Sequence, residues 1–391
     1  MRLRHLFSGV EHFVLYDCFT SSGYVNEDVF AYSNQCGGEK ALVIYNNRYE
    51  RAEGWIKTSV AMNLEIDGGR RLVQKDLCAG LNLRRDDNCF YILKDAVHGL
   101  EYLRSARQLS EAGLKVALDG FQLHVFLGFD ELCDYDGSLF ELERRLAGGG
   151  VADVRLAYQE LKLADIVLPL KAALAAAIGC EGQVEALARL LTAAAARLQV
   201  AVPEPLGLLA RLEVLSAAEM EDWLADSLPQ LQQGHDAAWR LLASYAVLRE
   251  LDVLLKAASS SALDVFDEWL VGHCLKQVWQ AWGLSGAQAE YELSLIRILL
   301  KPRAAKALPA CLLDLLDERE IEAYCGFNLY EGVWWFNREA MRSLIANYCL
   351  SRLLEGERGF LRLAPRLFEC IEASAYRLEE LRSALKALKW N

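Results

Sequence analysis

The side chains best suited to metal binding or nucleophilic chemistry are six histidines and eleven cysteines. The histidines, at positions 5, 12, 98, 124, 235 and 273, are far apart, and none has the H-x-x-x-H or H-E-x-x-H spacing of a helical metal site. The cysteines are odd in number and scattered without a C-x-x-C pair, so we interpret them as small apolar core residues. We therefore expect no metal, no cofactor and no catalytic histidine.

Catalytic and nucleotide-binding motifs that depend on glycine are also absent. The sequence contains no G-x-S-x-G nucleophile elbow, no G-x-G-x-x-G dinucleotide motif and no phosphate-binding G-x-x-x-x-G-K-[ST] loop. The sequence therefore gives no motif for these nucleotide sites or for a serine nucleophile of this type.

The chain changes its hydrophobic period near Asp136-Gly137. Upstream, short β-rich runs alternate with turns, as in 28–34 and 40–46 around Gly37-Gly38, a pattern typical of a hairpin. Further strands are predicted at 54–63, 71–74, 89–93, 114–118 and 121–129, with one helix at 99–112. Six to eight strands in this arrangement predict an antiparallel sandwich or barrel.

Downstream of Gly137 the apolar residues recur every three or four positions, which is typical of helices. Ser138 with Glu141, and Ser216 with Glu219, have the spacing of a capping box at a helix start. Roughly ten helices are expected, the longest at 185–200, 236–258 and 365–388. The fold class is therefore multidomain, β then α: an antiparallel β-sandwich or barrel-like domain followed by an all-helical domain.

Composition excludes two classes of partner. The chain is 53% hydrophobic and 25% charged with a net charge of −12, which gives no basic surface for nucleic acid. The longest stretch without Asp, Glu, Lys or Arg is 277–289, thirteen residues, whereas a membrane span needs about 20 apolar residues. The first residues have no apolar signal region, so we expect a cytoplasmic location.

Several runs in the first half resemble a known family. NEDVFAYSN (26–34), GGEKALVIYNNRY (37–49) and GWIKTSVAMN (54–63) resemble the β-sheet domain that follows the catalytic barrel in α-amylase-like enzymes of glycoside hydrolase family thirteen. LFSGVEHFVLYDCFT (6–20) resembles the stretch before that sheet, GFQLHVFLGF (120–129) its closing strand, and GFNLYEGVWWFNREAM (326–341) part of a helical tail. The resemblance implies three parts: 1–25 as the end of the barrel or an extension, 26–137 as the β domain, and 138–391 as the helical domain.

The catalytic residues of that family have no counterpart here. The resemblance implies that the nucleophilic Asp, the acid Glu and the second Asp would lie on barrel strands N-terminal to residue 1. Residues 119–124 are similar to the nucleophile strand, G-F-R-x-D, but Gln122 replaces the arginine and His124 the nucleophile. We interpret this run as a structural strand. His235-Asp236 is similar to a late barrel motif, but the sequence around it predicts a helix start.

The predicted function follows from these points. We expect a non-catalytic C-terminal part of an α-amylase-like protein that supports a catalytic barrel in α-glucan metabolism. The alternatives are an independent protein-interaction module with a helical binding domain and an enzyme of unrecognised type.

Two kinds of contact are expected. Exposed rings stack on sugars, and the candidates for contact with an α-glucan or a partner are Tyr49, Trp55, Trp334 and Trp335, with Tyr45 and Tyr91 as weaker stacking candidates. Residues 6–19 carry eight large apolar side chains, so this segment either folds back on the β domain or associates with a barrel polypeptide or another copy of the chain.

Overall fold

The protein is described by a computed structural model over residues 3–66, 69–214, 235–301, 308–357 and 360–388. The chain divides into two compact units, Met1–Lys162, the sheet unit, and Leu163–Asn391, the helical unit. An antiparallel sheet that curls into a half-barrel is followed by a helical region, which confirms the predicted fold class. Within these described ranges, no helix is both long and apolar enough to cross a bilayer.

The sheet unit is built on one eight-stranded antiparallel sheet. Its order is β8-β7-β10-β3-β2-β1-β4-β9, and a separate hairpin pairs β5 with β6. The strands are β1 Val14–Phe19, β2 Val29–Cys36, β3 Glu39–Asn46, β4 Ala52–Ser59, β5 Met62–Ile66, β6 Gly69–Val73, β7 Cys89–Asp95, β8 Leu100–Ser105, β9 Leu114–Leu118 and β10 Leu123–Cys133. Strands β8 and β9 are therefore the two edges of the half-barrel.

Alternating buried and exposed side chains form the core of this unit. In β9, Leu114, Val116 and Leu118 are buried while Lys115 and Ala117 are exposed, which is the pattern of a half-buried strand. The inward residues form one apolar cluster with the short helices α2 (Leu77–Gly80) and α3 (Ala106–Glu111). The predicted strands at 28–34, 40–46 and 114–118 are thus confirmed.

Two further helices cover the outer face of β7 and β8. Helices α4 (Ser138–Leu146) and α5 (Val154–Lys162) pack with Phe90, Ile92 and Leu103 in a second apolar cluster. Strand β7 is consequently buried on both faces. The change of hydrophobic period at residue 137 marks where helices begin, but the compact sheet unit continues to Lys162; the predicted three-part division itself stays a prediction.

The predicted helix at 99–112 is confirmed only in its second half. Its first half is the edge strand β8, which pairs with β7 from Leu100↔Asp95 to Ser105↔Phe90. Only Ala106–Glu111 is helical, and the Ser105 hydroxyl accepts the backbone N–H of Gln108 at its start. Pairing with a neighbouring strand outweighs the local helical preference of this run.

The first of the two predicted capping boxes is not found. Helix α4 begins at Ser138, but its N-cap is Gly137, and the backbone N–H groups of Ser138 and Phe140 donate to the carboxylates of Asp136 and Asp134. The backbone N–H of Glu141 donates to the Gly137 carbonyl oxygen at 3.0 Å and not to the Ser138 hydroxyl. The second predicted box, Ser216 with Glu219, lies outside the described residues.

Residues 6–19 fold back on the sheet, the first of the two predicted alternatives. Strand β1 lies between β2 and β4 and pairs with both. Leu6, in the short helix α1 (Arg4–Ser8), is buried, and the ring of Phe13 lies 5.6 Å from that of Tyr32. Val10 and Phe7 stay exposed.

The helical unit contains eleven helices among its described residues. They are α6 Ala164–Gly179, α7 Gln183–Leu198, α8 Leu208–Val214, α9 His235–Ala257, α10 Val271–Ala281, α11 Gly286–Leu300, α12 Leu308–Leu315, α13 Arg319–Tyr324, α14 Arg338–Leu354, α15 Phe360–Ala373 and α16 Leu378–Ala387. Helix α9 is central, since it packs against α6, α7, α8, α11 and α14. Asp236 lies in its first turn, as expected.

Two expectations about this unit are corrected. It is not entirely helical, because β11 (Asn328–Tyr330) and β12 (Val333–Trp335) form a hairpin. The long helix predicted at 365–388 is two helices, α15 and α16, because Ala375 and Tyr376 have φ of +47° and +65°. This turn lets Arg377 form a bridge with Trp335. The long helices predicted at 185–200 and 236–258 are confirmed by α7 and α9.

Candidate functional site

A cavity of about 740 Å³ opens in the sheet unit. Both edge strands contribute to its wall, so it lies where the half-barrel fails to close. Its volume falls within the range of about 300–1,000 Å³ that is typical of small-molecule pockets. The residues that line it are Arg51, Glu53, Tyr102, Arg104, Gln108, Leu114, Lys115, Val116, Ala117, His124, Phe126, Phe140, Glu143, Arg144, Ala147, Gly148 and Gly149.

Arg104, on edge strand β8, is the most unusual of these side chains. It is 5% exposed, and its guanidinium donates hydrogen bonds of 2.7 Å to the carbonyl oxygens of Leu103 and Gly148. Within the described residues no carboxylate forms an ion pair with it. Burial lowers the pKa of Arg104, and the nearby charge of Glu143 opposes only part of that shift. A cation is thus held at the cavity wall without direct neutralisation.

The loop after α4 holds Arg104 in place. Gly148 has φ of +83°, and its carbonyl oxygen accepts the Arg104 bond. A Cβ atom at Gly150 would lie 2.7 Å from the Tyr102 ring. The three consecutive glycines at 148–150 therefore allow the loop to approach both side chains closely.

A second polar group joins the end of β7 to β10. The side chain of Asp95 is 0% exposed, and its Oδ2 accepts hydrogen bonds of 2.6 Å from the Nδ1 atoms of both His98 and His124. Its Oδ1 accepts from the backbone N–H groups of Val97 and Val125. Burial alone would raise the pKa of Asp95, but the four hydrogen bonds outweigh it and hold that pKa below its usual value.

These three residues have donor types that suit a metal ion, but their spacing suits hydrogen bonds. The three ligand atoms lie within 4.8 Å of one another. Tetrahedral zinc with bonds of about 2.0–2.1 Å separates its ligand atoms by about 3.3–3.4 Å. The separations of 2.6 Å between imidazole nitrogen and carboxylate oxygen are much shorter. As arranged, the Asp95 carboxylate orients two imidazoles.

The orientation of His124 has a chemical consequence. Because Nδ1 donates to Asp95, the neutral ring keeps Nε2 as a hydrogen-bond acceptor. The ring is 13% exposed, lines the cavity and lies 5.7 Å from the stacked ring of Phe126. His124 can therefore accept a hydrogen bond from a ligand hydroxyl, with Tyr102 edge-on to its ring at 6.0 Å.

The cavity lining has more cationic than anionic side chains. Four cationic side chains line it, against the carboxylates of Glu53 and Glu143, although the whole chain has a net charge of −12. Lys115 pairs with Glu53 at 2.8 Å, and the Glu143 Oε1 accepts the backbone N–H of Ser105 at 2.6 Å. Arg144 pairs with Glu141 at 2.8 Å. Among the described residues, Arg51 and Arg104 are the cations of the cavity lining that form no ion pair.

A second group of metal-ligand types lies near the other end of β7. Cys89 and Cys133 are cross-strand partners on β7 and β10, and Glu131 lies beside them. Glu131 is already paired with Arg84 at 2.7 Å. Burial raises the pKa of the Cys89 thiol to about 11, which disfavours the thiolate that a metal would need.

The predicted contact residues lie at separate places. In the sheet unit Tyr49 is 83% exposed, whereas Trp55 is half-buried, with the Lys115 Nζ 5.5 Å from its ring centroid. Tyr45 is half-buried. Tyr91 is buried, and its hydroxyl accepts the backbone N–H of Arg84, so it has no face for a sugar.

The other two predicted residues belong to the hairpin of the helical unit. Trp334 is 38% exposed, and Leu329 and Tyr330 beside it are more so. Trp335 is half-buried beneath the guanidinium of Arg377, 5.7 Å from the ring centroid. Within that unit a second cavity, of about 140 Å³, is lined by the stacked rings of Tyr291 and Tyr324. This volume is below the range of small-molecule sites.

The cavity residues were missed by the sequence reasoning, although two signals pointed towards them. Asp95 and His98 have the short spacing of a polar turn after a strand, and the glycine run at 148–150 marks a close backbone approach. Neither signal indicates that His124 lies beside Asp95, because that neighbourhood arises only from the pairing of β7 with β10. No protein family, curated protein or solved structure was found to match this chain.

Proposed function

We propose that this chain is a non-catalytic, α-amylase-like protein whose sheet unit binds a small polar molecule of the α-glucan type and supports a catalytic barrel in α-glucan metabolism. The observation that carries the binding part is the cavity of about 740 Å³ at the open edge of the half-barrel. The amylase part rests on the resemblance of residues 26–63. A cytoplasmic location is part of the same proposal.

The composition of the cavity wall supports a sugar as ligand. Phe140, which is 56% exposed, supplies apolar ring surface on which the apolar face of a sugar can stack. His124, Tyr102 and Gln108 supply hydrogen-bonding groups for hydroxyls. Specific polar groups set among apolar surfaces are what small-molecule sites use to fix orientation.

Binding can be tested on the full chain with one substitution that fills the cavity mouth. Ala117 is exposed on edge strand β9 and lines the cavity, so Ala117→Trp should occupy it without entering the core. Ala61→Trp places the same side chain at an exposed position outside it. We expect titration calorimetry to show maltose or maltotriose binding to the wild type and to Ala61→Trp but not to Ala117→Trp. Absence of binding to every α-linked sugar, or equal binding by Ala117→Trp, would show that the proposal is wrong.

The non-catalytic part needs a separate measurement. We expect the purified chain to release no reducing sugar from soluble starch, and to increase the stability or activity of a polypeptide that carries an α-amylase-like catalytic barrel. Hydrolysis by the chain alone would contradict this part of the proposal. Whether the cavity binds a sugar would still be decided by titration calorimetry.

A second candidate function is a protein-interaction module with a helical binding unit. It is favoured by the β11–β12 hairpin, where Leu329 and Tyr330 are more than half exposed next to Trp334. In this candidate the chain acts independently of a catalytic barrel and has no carbohydrate role, so neither α-linked sugars nor a barrel polypeptide should bind it. Binding of either would contradict this second candidate.

A further inference from the structure

We propose that the cavity of the sheet unit binds the phosphate group of a phosphorylated sugar, with Arg104 as the buried anchor and Arg51 and Lys115 at the rim. This inference rests on the proposed function, because it names the class of ligand that the same cavity takes. It starts from an unusual combination at Arg104: deep burial, a cavity wall and no paired carboxylate.

Burying a guanidinium is unfavourable unless its charge is compensated. The carbonyl oxygens of Leu103 and Gly148 accept two of its hydrogen bonds but supply only partial charges. A guanidinium has five N–H groups, so these two bonds do not exhaust its donors. An anion in the cavity would supply both the missing charge and further acceptors.

The carboxylates of the cavity meet this need only in part. The charge of Glu143 acts on Arg104, but the two form no ion pair, and Glu53 is paired with Lys115. Arg51 also forms no ion pair among the described residues, and four cations against two carboxylates leave the cavity lining with an excess of two positive charges. A phosphate monoester carries about −1.5 to −2 charges at pH 7, which matches two cations better than the single charge of a carboxylate.

Geometry also favours phosphate. The planar fork of a guanidinium matches pairs of phosphate oxygens, and its two carbonyl bonds fix the orientation of Arg104. His124, on the neighbouring part of the wall, remains for the uncharged part of the ligand. One cavity thus offers a charged end and a hydroxyl-binding end.

The test measures four probes by titration calorimetry on the full chain: glucose 6-phosphate, glucose, glucuronate and inorganic phosphate. We expect glucose 6-phosphate to bind most tightly, glucose and inorganic phosphate each to bind more weakly, and the glucose 6-phosphate affinity to fall as salt is raised. Arg104→Met should weaken the binding of glucose 6-phosphate by about 10- to 100-fold, because hydrogen bonds to a charged group are lost. The affinity for glucose should stay within about twofold of the wild-type value.

Exposed cations provide variants that do not depend on a buried substitution. Arg51→Ala and Lys115→Ala should each weaken the binding of glucose 6-phosphate by about two- to tenfold. Their matched controls, Arg71→Ala and Lys57→Ala, remove equally exposed cations that do not line the cavity and should change nothing. These variants decide the matter if Arg104→Met fails to fold.

The outcomes separate this inference from the proposed function. Equal affinity for glucose and glucose 6-phosphate, or no change in the three cavity variants, overturns the phosphate assignment while sugar binding stands. Tighter binding of glucuronate overturns phosphate in favour of a carboxylate. Inorganic phosphate binding as tightly as glucose 6-phosphate overturns the sugar part. If the α-linked sugars do not bind, the proposed function fails as well, whichever of these probes binds.

Discussion

Two buried arginines, one in each unit, are compensated in different ways. Arg342 in the helical unit is 6% exposed; its Nη1 lies 2.5 Å from the Glu372 Oε1 and its guanidinium carbon 4.7 Å from the Phe368 ring centroid. Arg104 in the sheet unit is equally buried, donates to two backbone carbonyls, lies with its guanidinium carbon 5.5 Å from the Tyr102 ring centroid and faces a cavity. Arg342 is paired with a carboxylate of its own unit, whereas Arg104 forms no ion pair among the described residues. Burial of an arginine therefore has a structural explanation in one case, and in the other it supports the proposed binding role.

The largest effect on stability is expected at Asp95, a buried charge of the sheet unit that accepts four hydrogen bonds. Asp95→Asn should lower the free energy of unfolding by about 3–5 kcal/mol, because it replaces a carboxylate that accepts four hydrogen bonds with an amide that must face two imidazole donors. Urea unfolding followed by circular dichroism measures this change. Asp119→Asn, at an exposed position of the same unit, is the control and should be neutral. A loss below about 1 kcal/mol for Asp95→Asn would contradict the bonding described.

Arg342, the arginine that is paired with Glu372, should contribute less to stability than Asp95, but still a measurable amount. Arg342→Met should cost about 1–3 kcal/mol, because Glu372 loses its buried partner yet is exposed enough to be hydrated. Arg338→Met on the same helix removes a more exposed arginine from the same carboxylate and should cost under about 1 kcal/mol. Equal losses in the two variants would show that burial of Arg342 is irrelevant to its pairing.

A smaller effect concerns pH. The pKa of Asp95 is lowered in the folded protein, so its ionised form contributes stability that is present above the unfolded pKa of about 3.9 and is lost as pH falls through the folded value. The stability difference between wild type and Asp95→Asn should therefore narrow as pH is lowered from 5 towards 2. Parallel curves over that range would mean that Asp95 is not held ionised by His98 and His124.

The smallest effect on stability is expected at Arg104, the arginine that forms no ion pair among the described residues. Arg104→Met removes two hydrogen bonds but also an unpaired buried charge, so the free energy of unfolding should change by no more than about 1 kcal/mol in either direction. Measuring it beside Arg342→Met tests the comparison directly. A loss larger than that of Arg342→Met would place Arg104 among the structural residues.

Parts of the fold could be predicted because they depend on local signals. The β2–β3 hairpin follows from two β-rich runs around Gly37-Gly38, and α9 from a long helical period. Strand β8 could not be predicted in this way, since its residues have helical character and only pairing with β7 makes them extended. Residues 6–19 were expected either to fold back on the β domain or to associate with a barrel polypeptide or another copy, but the place of β1 between β2 and β4 depends on partners distant in the chain.

The candidate site was largely hidden from sequence reasoning for the same physical reason. His124 was compared with a missing nucleophile on the basis of its immediate neighbours, whereas its contact is Asp95, 29 positions earlier. The exposed Tyr49 could be identified as an aromatic in a turn, but the burial of Arg104 depends on β8 being a strand and on the glycine loop covering it. Sites assembled across strands become visible only once register is known.

The place of β1 between β2 and β4 makes the sheet divisible. Residues 14–19 connect the group β8-β7-β10-β3-β2 to the pair β4-β9, so in the hydrogen-bonded sheet the two edge strands are linked only through this first strand. A chain lacking the strand would present an unoccupied slot with backbone donors and acceptors on both sides. A synthetic peptide VLYDCF added from outside could fill that slot, which would make ligand binding by the truncated chain conditional on peptide complementation.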